Sequence, residues 1–189
     1  ILERSVQVKK AIPLILILCF ILSSCSLPQE NAQIEIDKVE YRKAIWIAYY
    51  ELSEMTNGKD KYEFEKTIKE ELSKIASKGF NTVTVQVRPC ADAFYKSAYF
   101  PTSRYFNGEQ GSEMNYDPLE IICSYAQQLD LKIEAWINPY RVSQDDDYSK
   151  LSPNNFAVKN KKMTKVVDGK ILFNPAYDDV TNLIVSGVK

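Results

Sequence analysis

The sequence predicts an α/β fold, in which about three βα units with long loops after the strands form part of a small barrel. Strand-like and helix-like segments alternate along the chain, which indicates parallel strands joined by right-handed crossovers. Two strands have one apolar and one polar face, whereas strands buried in an open parallel sheet are apolar on both. The long loops all follow strand ends, where α/β barrels and open α/β sheets both place their sites.

The N-terminal segment predicts a lipoprotein signal peptide over residues 1–25. Basic residues precede the apolar run 11–22, which is too short to span a bilayer but fits the core of a signal peptide. The run leads into LSSC, which is similar to a bacterial lipobox and makes Cys25 the predicted lipidation site. An ordinary signal peptide with a coincidental cysteine is the alternative. We therefore expect an exported lipoprotein on the extracytoplasmic side of a bacterial cell membrane, with a polar tether over residues 26–41 and a domain over 42–189.

Composition excludes several classes of function. The 189 residues carry a net charge of −1, so no basic field is available to attract nucleic acid. Histidine is absent, which removes histidine metal sites and every Ser–His or Cys–His nucleophile pair. No nucleotide-binding or metalloprotease motif is present, and we predict neither a metal nor a cofactor. Chemistry in this chain has to use carboxylates, amides, tyrosines, lysines or arginines.

The first βα unit begins with a nearly continuous apolar strand over residues 42–50, followed by a loop. Asp60 and Glu63 have the spacing of a capping box and predict the start of a helix. Apolar residues then recur on one helical face, and Gly79 is placed to end the helix.

The second strand follows at once and is the best defined in the chain. Three valines, at positions 83, 85 and 87, make its apolar face, and Gln86 and Arg88 end its polar face. The loop that follows is rich in aromatic residues, most of which we expect to form the loop's own core.

The second long helix starts at Asp117-Pro118, an N-cap followed by proline at the first helical position, and it leads into the third strand. Cys123 is assigned to the apolar stripe of this helix and is expected to be buried; no disulfide framework is predicted. The third strand, residues 132–138, turns Glu134, Trp136 and Asn138 to its polar face. Glu134 and Arg88 both face the barrel interior in this scheme, so we expect a buried ion pair.

The remaining residues predict a long polar segment, a hairpin and a last helix. Residues 142–165 include three consecutive aspartates from Asp145, which are more typical of a solvated loop than of a calcium site. Asp168-Gly169 lies between two short β-prone runs and predicts a hairpin turn. The last helix is expected to start at Asn174-Pro175.

The polar strand faces and the loops after them predict a rim suited to carbohydrate. Aromatic rings pack on the C–H groups of sugars, while amides, carboxylates and guanidinium groups bind their hydroxyls. Asp92 is open to two interpretations, a substrate ligand or an N-cap, and it is the only candidate for a catalytic carboxylate. We expect Gln86, Arg88 and Asn138 to meet around one mouth. The predicted substrate-binding residues are Gln86, Arg88, Asp92, Tyr95, Trp136, Asn138, Tyr140 and Arg141.

Four segments resemble the glycosyl-hydrolase-like family 10: RKAIWIAYYE, GFNTVTVQVRPCADAFYKS, YDPL and EAWINPYRV. Members of this family are bacterial envelope proteins, often lipoproteins, with a TIM-barrel catalytic domain. The resemblance implies a glycoside hydrolase that acts on a cell-envelope polysaccharide, such as the glycan strands of peptidoglycan. It also implies that six of the rim residues line the substrate cleft: Gln86, Arg88, Asp92, Asn138, Tyr140 and Arg141.

The resemblance also implies an incomplete enzyme. A TIM barrel has eight βα units and typically about 250 residues, whereas this chain supplies three units. The family's fourth strand, which ends in an acidic motif, is absent, so we expect no hydrolysis by this chain alone. Two alternatives stay open, a non-catalytic glycan-binding envelope lipoprotein and a TIM-like enzyme with another substrate.

Overall fold

The computed structural model describes residues 41–188, which cluster as one unit by their contacts. The predicted signal peptide, Cys25 and nearly all of the predicted tether lie outside the described residues. None of the helices in the described part is long and apolar enough to cross a membrane. In chain order the elements are β1 (Ala44–Ile47), α1 (Tyr49–Thr56), α2 (Lys61–Ser77), β2 (Thr82–Arg88), α3 (Arg104–Asn107), α4 (Pro118–Gln128), β3 (Lys132–Ile137), a 3-10 turn (Tyr148–Lys150), α5 (Phe156–Lys159), a second 3-10 turn (Lys161–Met163), β4 (Thr164–Val167), β5 (Lys170–Phe173) and α6 (Asp178–Ser186).

The main sheet is parallel and has the order β1-β2-β3, with β2 in the centre. Its register aligns Trp46 with Thr84 and Thr84 with Glu134. The predicted succession of parallel βα units is therefore confirmed. Three strands with two open edges are compatible with part of a TIM-like barrel, but they do not form a closed one.

The first strand is shorter than predicted, and a helix replaces the predicted loop after it. The strand ends at Ile47, and α1 starts at Tyr49. The backbone N–H of Ala48 donates to Glu51 Oε2 at 2.7 Å, which satisfies a donor at the start of the helix. Leu52, on α1, is fully buried. The end of the predicted strand, Tyr49 and Tyr50, is therefore helical, because a helix here buries the apolar side of this segment.

The helical layer of the main core follows the predicted periodicity. The capping box is confirmed, since Glu63 N donates to Asp60 Oδ1 at 2.8 Å and Asp60 N donates to Glu63 Oε2 at 3.0 Å. Gly79 has a φ of +79°, the left-handed conformation expected just beyond a helix end. The core combines α2, β2 and α4 through Phe64, Ile68, Leu72, Ile75, Val83, Val85, Val87, Ile121, Ile122 and Ala126.

The prediction that Cys123 is buried is wrong. The start of α4 agrees with the sequence, because Asp117 Oδ1 accepts hydrogen bonds from the backbone N–H groups of Leu119 and Glu120. The buried stripe of the helix runs through Ile121, Ile122 and Ala126. Cys123 lies about 100° around the helix from Ile122, on the side away from that stripe, and is exposed.

A second, smaller core packs under the predicted hairpin. The turn is confirmed, with Asp168 and Gly169 at φ values of 49° and 70° between the antiparallel strands β4 and β5. The last helix begins later than predicted, at Asp178. Asn174 forms a turn instead, because its Oδ1 accepts from Ala176 N at 3.0 Å. Residues from the loops after β2 and β3, the hairpin and α6 fill this core, including Phe100, Val142, Ile171, Phe173, Val180 and Leu183.

Candidate functional site

The ends of β2 and β3 lie side by side, as the sequence predicts. The backbone N–H of Asn138 donates to the carbonyl of Arg88 at 2.9 Å, and the Asn138 side-chain amide donates to the carbonyl of Pro89 at 2.9 Å. The indole N–H of Trp136 donates to Asn138 Oδ1 at 3.1 Å. Asn138 thus joins the two strand ends and fixes the orientation of the Trp136 ring.

Gln86 is turned away from this junction. Its side chain is buried, and its Oε1 accepts from the backbone N–H of Tyr49 at 3.2 Å, at the start of α1. The pairing of β2 with β3 shifts between Gln86 and Arg88, which leaves Val87 as an extra residue in β2. Arg88 and Asn138 therefore share one strand-end position, while Gln86 lies one step lower and supports α1.

Arg88 is an almost fully buried cation, with 1% of its surface exposed. Its Cζ lies 4.3 Å from the centroid of the Phe100 ring, a cation–π contact. Nη1 and Nη2 have no hydrogen-bond partner among the described residues. Burial lowers the pKa of Arg88, and the neighbouring Tyr95 hydroxyl opposes that shift.

The predicted ion pair between Arg88 and Glu134 does not form. Glu134 binds Arg42 through two contacts, one of them from Nε to Oε1 at 2.9 Å, and it also accepts from Thr84 Oγ1 at 2.9 Å. This pair is partly exposed, because it lies on the open face of the sheet rather than in a closed interior. The hydrogen bonds from Arg42 and Thr84 lower the pKa of Glu134.

Asp92 is completely buried in the loop after β2. Its Oδ2 accepts from Gln110 Nε2 at 3.1 Å and from the backbone N–H of Arg104 at 3.4 Å, the first residue of α3. Its Oδ1 has no partner among the described residues. This arrangement resembles the predicted N-cap role, although Ser103 is the residue at the cap position itself. Burial raises the pKa of Asp92 to about 6, against the hydrogen bonds that favour its charged form.

A buried amide network continues from Asp92 and joins the loops after β2 and β3. Gln110 Oε1 accepts from Ser152 N at 2.9 Å and from Asn155 Nδ2 at 3.0 Å. The same Asn155 amide donates to the carbonyl of Ala91 at 2.9 Å. The two loops are therefore held together by hydrogen bonds that are shielded from water, and they form one rigid wall above the strand ends.

The other predicted rim residues are placed around this wall. Tyr95 is partly buried, and its hydroxyl donates to the carbonyl of Gly187 at 3.4 Å. Tyr140 is exposed, and its carbonyl accepts from Phe173 N at 2.8 Å. Arg141 forms a backbone bridge with Leu172 on the hairpin. The part of the chain after β3 thus returns to the strand ends through the hairpin.

Asp145 is an acidic group that the sequence assigned only to a solvated loop. Its Oδ2 lies 3.4 Å from Arg104 Nη1 and 3.2 Å from Lys150 Nζ, so it takes part in an ion network. Burial works to raise its pKa, but hydrogen bonds from Lys150, Asp147 N and Arg104 outweigh burial and lower it. No group of three or more acidic or cysteine side chains in residues 41–188 could hold a metal ion.

The open face of the sheet carries an aromatic pair that sequence reasoning missed in part. Trp46 is 67% exposed, and its ring centroid lies 5.9 Å from that of Trp136. A cavity of about 410 Å³ lies beside the pair and is also lined by Arg42, Thr84 and Glu134. The alternation in β1 could have identified Trp46, because Ile45 and Ile47 face the helices and Trp46 faces the other way.

A larger cleft lies between the two loops, and we call it the loop cleft. Its volume is about 590 Å³, and it is lined by residues 95–102, Gly111, Met114, Ser152, Asn154 and Lys159. Of the predicted rim residues it includes only Tyr95. No signal in the sequence predicts this cleft, because its two sides come from segments about 50 residues apart that are brought together only in the folded structure.

The chain is similar to one protein family and to several known proteins. The family model described as glycosyl hydrolase-like 10 matches residues 41–189. The chain is 35% identical over 119 residues to Glycosyl hydrolase YngK of Bacillus subtilis, a match that covers 62% of this chain and 23% of that protein. It is 31% identical over 117 residues to Glycosyl hydrolase DigH of Escherichia coli K12, over 57% of this chain and 27% of that protein. The matched region is thus about a quarter of the length of these relatives.

Proposed function

Because the chain belongs to the glycosyl hydrolase-like 10 family, we propose that it is the N-terminal, glycan-contacting part of a glycoside hydrolase. The proposed substrate is a cell-envelope polysaccharide, such as the glycan strands of peptidoglycan. The observation that carries the proposal is the junction of β2 and β3, where Asn138 binds both the Arg88 and Pro89 carbonyls and the Trp136 indole. An oriented aromatic ring beside fixed polar groups at the carboxyl ends of parallel strands suits a sugar ring.

We further propose that residues 41–188 bind glycan without cleaving it. Glycoside hydrolysis commonly uses two carboxyl groups on either side of the scissile bond. Asp92 is fully buried among loop residues, and Glu134 is bound to Arg42. Asp92 and Asp145 have pKa values shifted in opposite directions, a pattern seen in acid–base pairs. Even so, the burial of Asp92 keeps a glycan from reaching its oxygens.

The activity proposal is tested by comparing this chain with an extended form on purified glycan strands. We expect new reducing ends, counted by mass spectrometry, with the extended form only. Turnover by the short chain would show that the acids are already present in it. A folded extended form that releases no product would remove the hydrolase proposal altogether.

The strand-end junction is tested in the same extended form with Asn138→Ala. The substitution removes the two bonds that hold Pro89 and Trp136, so we expect kcat/KM to fall by about 10- to 100-fold, as for a displaced binding group. Asn107→Ala, at an exposed position on α3, is the matched control and should be unchanged. Equal rates for the two variants would exclude the junction from the substrate site.

We also propose that the whole protein is exported and anchored through a lipid on Cys25. The support is the order of basic residues, apolar run and cysteine in the first 25 residues. Cells expressing the protein with radiolabelled palmitate should incorporate label, and Cys25→Ser should abolish it. Cys123→Ser, at an exposed thiol of the domain, is the control. Label that persists in Cys25→Ser would contradict the anchor.

A further inference from the structure

The segment between α5 and α6 is rich in lysine, and we call residues 161–173 the basic hairpin. It contains the second 3-10 turn, β4 and β5. Its four lysines are all exposed: Lys161, Lys162, Lys165 and Lys170. Asp168, at the tip, is its only acidic residue, and none of the four lysines forms an ion pair with another residue in the described part of the chain. In a chain whose net charge is −1, the basic hairpin is therefore a local concentration of positive charge.

The basic hairpin is held in place through one face and one edge. Ile171 and Phe173 are buried in the smaller core, so the face that carries them points inward. Val142 N donates to the Ile171 carbonyl at 2.9 Å, on the far edge of β5. On the same edge, Phe173 N donates to the Tyr140 carbonyl at 2.8 Å. The opposite face is thus presented to solvent in a fixed orientation.

The outer face of the basic hairpin alternates cations with apolar side chains. The register pairs Lys165 with Leu172 and Val167 with Lys170. Paired residues of an antiparallel sheet share a face, and neither pair is on the face of Ile171, so all four residues lie on the outer face. Val167 is 41% exposed there. The outer face therefore presents ammonium groups beside apolar groups.

Protection of an open sheet edge explains only part of this charge. Within residues 41–188, β4 pairs with β5 alone, and lysine on such an edge strand discourages pairing with other chains. That reason applies to Lys165. It does not apply to Lys170, which lies on β5, because the far edge of β5 is occupied by residues 140–143. Two exposed valines next to the turn, Val166 and Val167, also work against such protection.

A bilayer with anionic headgroups matches both the charge and the apolar part of this surface. Lysine ammonium groups bind lipid phosphates, while their methylene stems and the neighbouring apolar side chains enter the boundary between headgroups and acyl chains. Each basic residue near an anionic membrane surface strengthens binding by roughly fivefold. A soluble polyanion would bind the ammonium groups but would offer no apolar region to Val166 and Val167.

We propose that the outer face of the basic hairpin docks on an anionic phospholipid bilayer. Lys165 and Lys170 contact the headgroup phosphates, and the two valines at the turn, Val166 and Val167, enter the boundary with the acyl chains. The contact is separate from the lipid proposed on Cys25 and does not depend on it. It holds the domain at the membrane in one orientation, which a lipid at one end of a chain does not do by itself.

The test measures binding of the chain to vesicles by sedimentation at low salt, with Cys25→Ser in every protein so that no attached lipid contributes. One set of vesicles is phosphatidylcholine alone, and the other is an equal mixture of phosphatidylcholine and phosphatidylglycerol. The apolar run 11–22 is present in every protein and adds the same background to each. We expect binding to the mixed vesicles to be about tenfold or more tighter, with a preference that shrinks in high salt. Equal binding to the two sets would overturn the inference.

The first variant is Lys165→Gln combined with Lys170→Gln. It removes two cations of the outer face and should lower the affinity for mixed vesicles by about tenfold or more. Lys66→Gln combined with Lys78→Gln removes the same charge from exposed positions on α2 and just after it, and it should lower the affinity by less than about twofold. Equal losses in the two double variants would show that only the net charge matters and would contradict docking through the hairpin.

The second variant distinguishes a bilayer from a soluble anionic polymer. Val166→Thr combined with Val167→Thr keeps every charge and the branched shape of the side chains. It should weaken binding to mixed vesicles by about threefold or more, because less apolar surface enters the bilayer. An unchanged affinity of this variant, or binding of the original chain to soluble poly(glycerol phosphate) as tight as to mixed vesicles, would sink the inference. No glycan takes part in these measurements, so their outcome is independent of the hydrolase proposal.

Discussion

Asp92 is a buried residue whose protonation affects the stability of the fold. Its carboxyl group is completely buried, and one oxygen lacks a partner among residues 41–188. Burial raises its pKa from 3.8 to about 6, so the folded protein holds the proton more tightly than the unfolded chain. The contribution of Asp92 to stability is therefore most favourable below about pH 4 and is lost as the pH rises to about 6.

Asp92→Asn tests this linkage. A shift from 3.8 to about 6 corresponds to about 3 kcal/mol between the two ends of the pH range. We expect the variant to be more stable than the original at pH 7.5 by up to that amount, and to lose the difference near pH 4. Urea unfolding at several pH values measures it, with Asp146→Asn, at an exposed aspartate of the loop after β3, as control. A variant with the same pH slope as the original would refute a raised pKa.

At the residue scale, the sequence predicted which face of a strand each side chain lies on, but it did not predict which group that side chain binds. The alternation of β2 and β3 correctly separated the valines from the polar residues, because alternation depends on the strand alone. It missed that Glu134 binds Arg42, since that contact depends on the register between β1 and β3 across β2. It also missed that Gln86 binds α1, because α1 itself was not predicted.

At the scale of elements, Gly187, the residue just after α6, lies very close to Phe100 and Arg88. A Cβ at Gly187 would lie 2.3 Å from Phe100 Cε2 and 2.8 Å from Arg88 Nη1. Gly187 has φ and ψ of −80° and 0°, which other residues also adopt, so the requirement for glycine is one of space.

Gly187→Ala should destabilise the chain by about 1–3 kcal/mol, because an extra methyl group has to displace Phe100 or the helix. The change is measured as a shift of the urea midpoint. Ser186→Ala, on the preceding residue, is the control for a small change at the helix end. An unchanged midpoint for Gly187→Ala would show that α6 does not pack here.

The elements that were predicted correctly are those whose signals lie within a few residues of each other in the sequence. The capping box of α2, the Asp117-Pro118 start of α4 and the Asp168-Gly169 turn are all local signals, and each is confirmed. The end of β1 was predicted wrongly because Tyr49 and Tyr50 favour a strand by composition. Burial of Leu52 and the hydrogen bond from Ala48 N to Glu51 Oε2 stabilise a helix there instead.

At the scale of the whole molecule, alternation predicted the parallel sheet, but whether a barrel closes depends on strands that these residues do not include. Both β1 and β3 are edge strands, and the face between them carries the two tryptophans of the chain. An open edge and an exposed aromatic face are sites where further strands pair and pack.

The exposure of this face can be measured by tryptophan fluorescence. We expect acrylamide to quench the chain strongly, because Trp46 is 67% exposed, and Trp46→Phe to remove the more accessible part of the signal. An extended form whose added strands cover the face should be quenched less. Equal quenching in both forms would show that the face stays open to solvent.

Hydrogen bonds from Asn155 connect the loop after β2 to the segment after β3, so sequence changes in the two are coupled. Its side-chain amide donates to the carbonyl of Ala91 and to Gln110 Oε1, which lie near the two ends of the loop after β2. Its Oδ1 accepts from the backbone N–H of Ala157, in the segment after β3. An insertion or deletion that moved either partner would break the bond unless the other loop moved too. A change of glycan preference should therefore require matched substitutions in both segments. Grafting one loop alone from a relative should disrupt the bridge, whereas grafting both loops together should keep it.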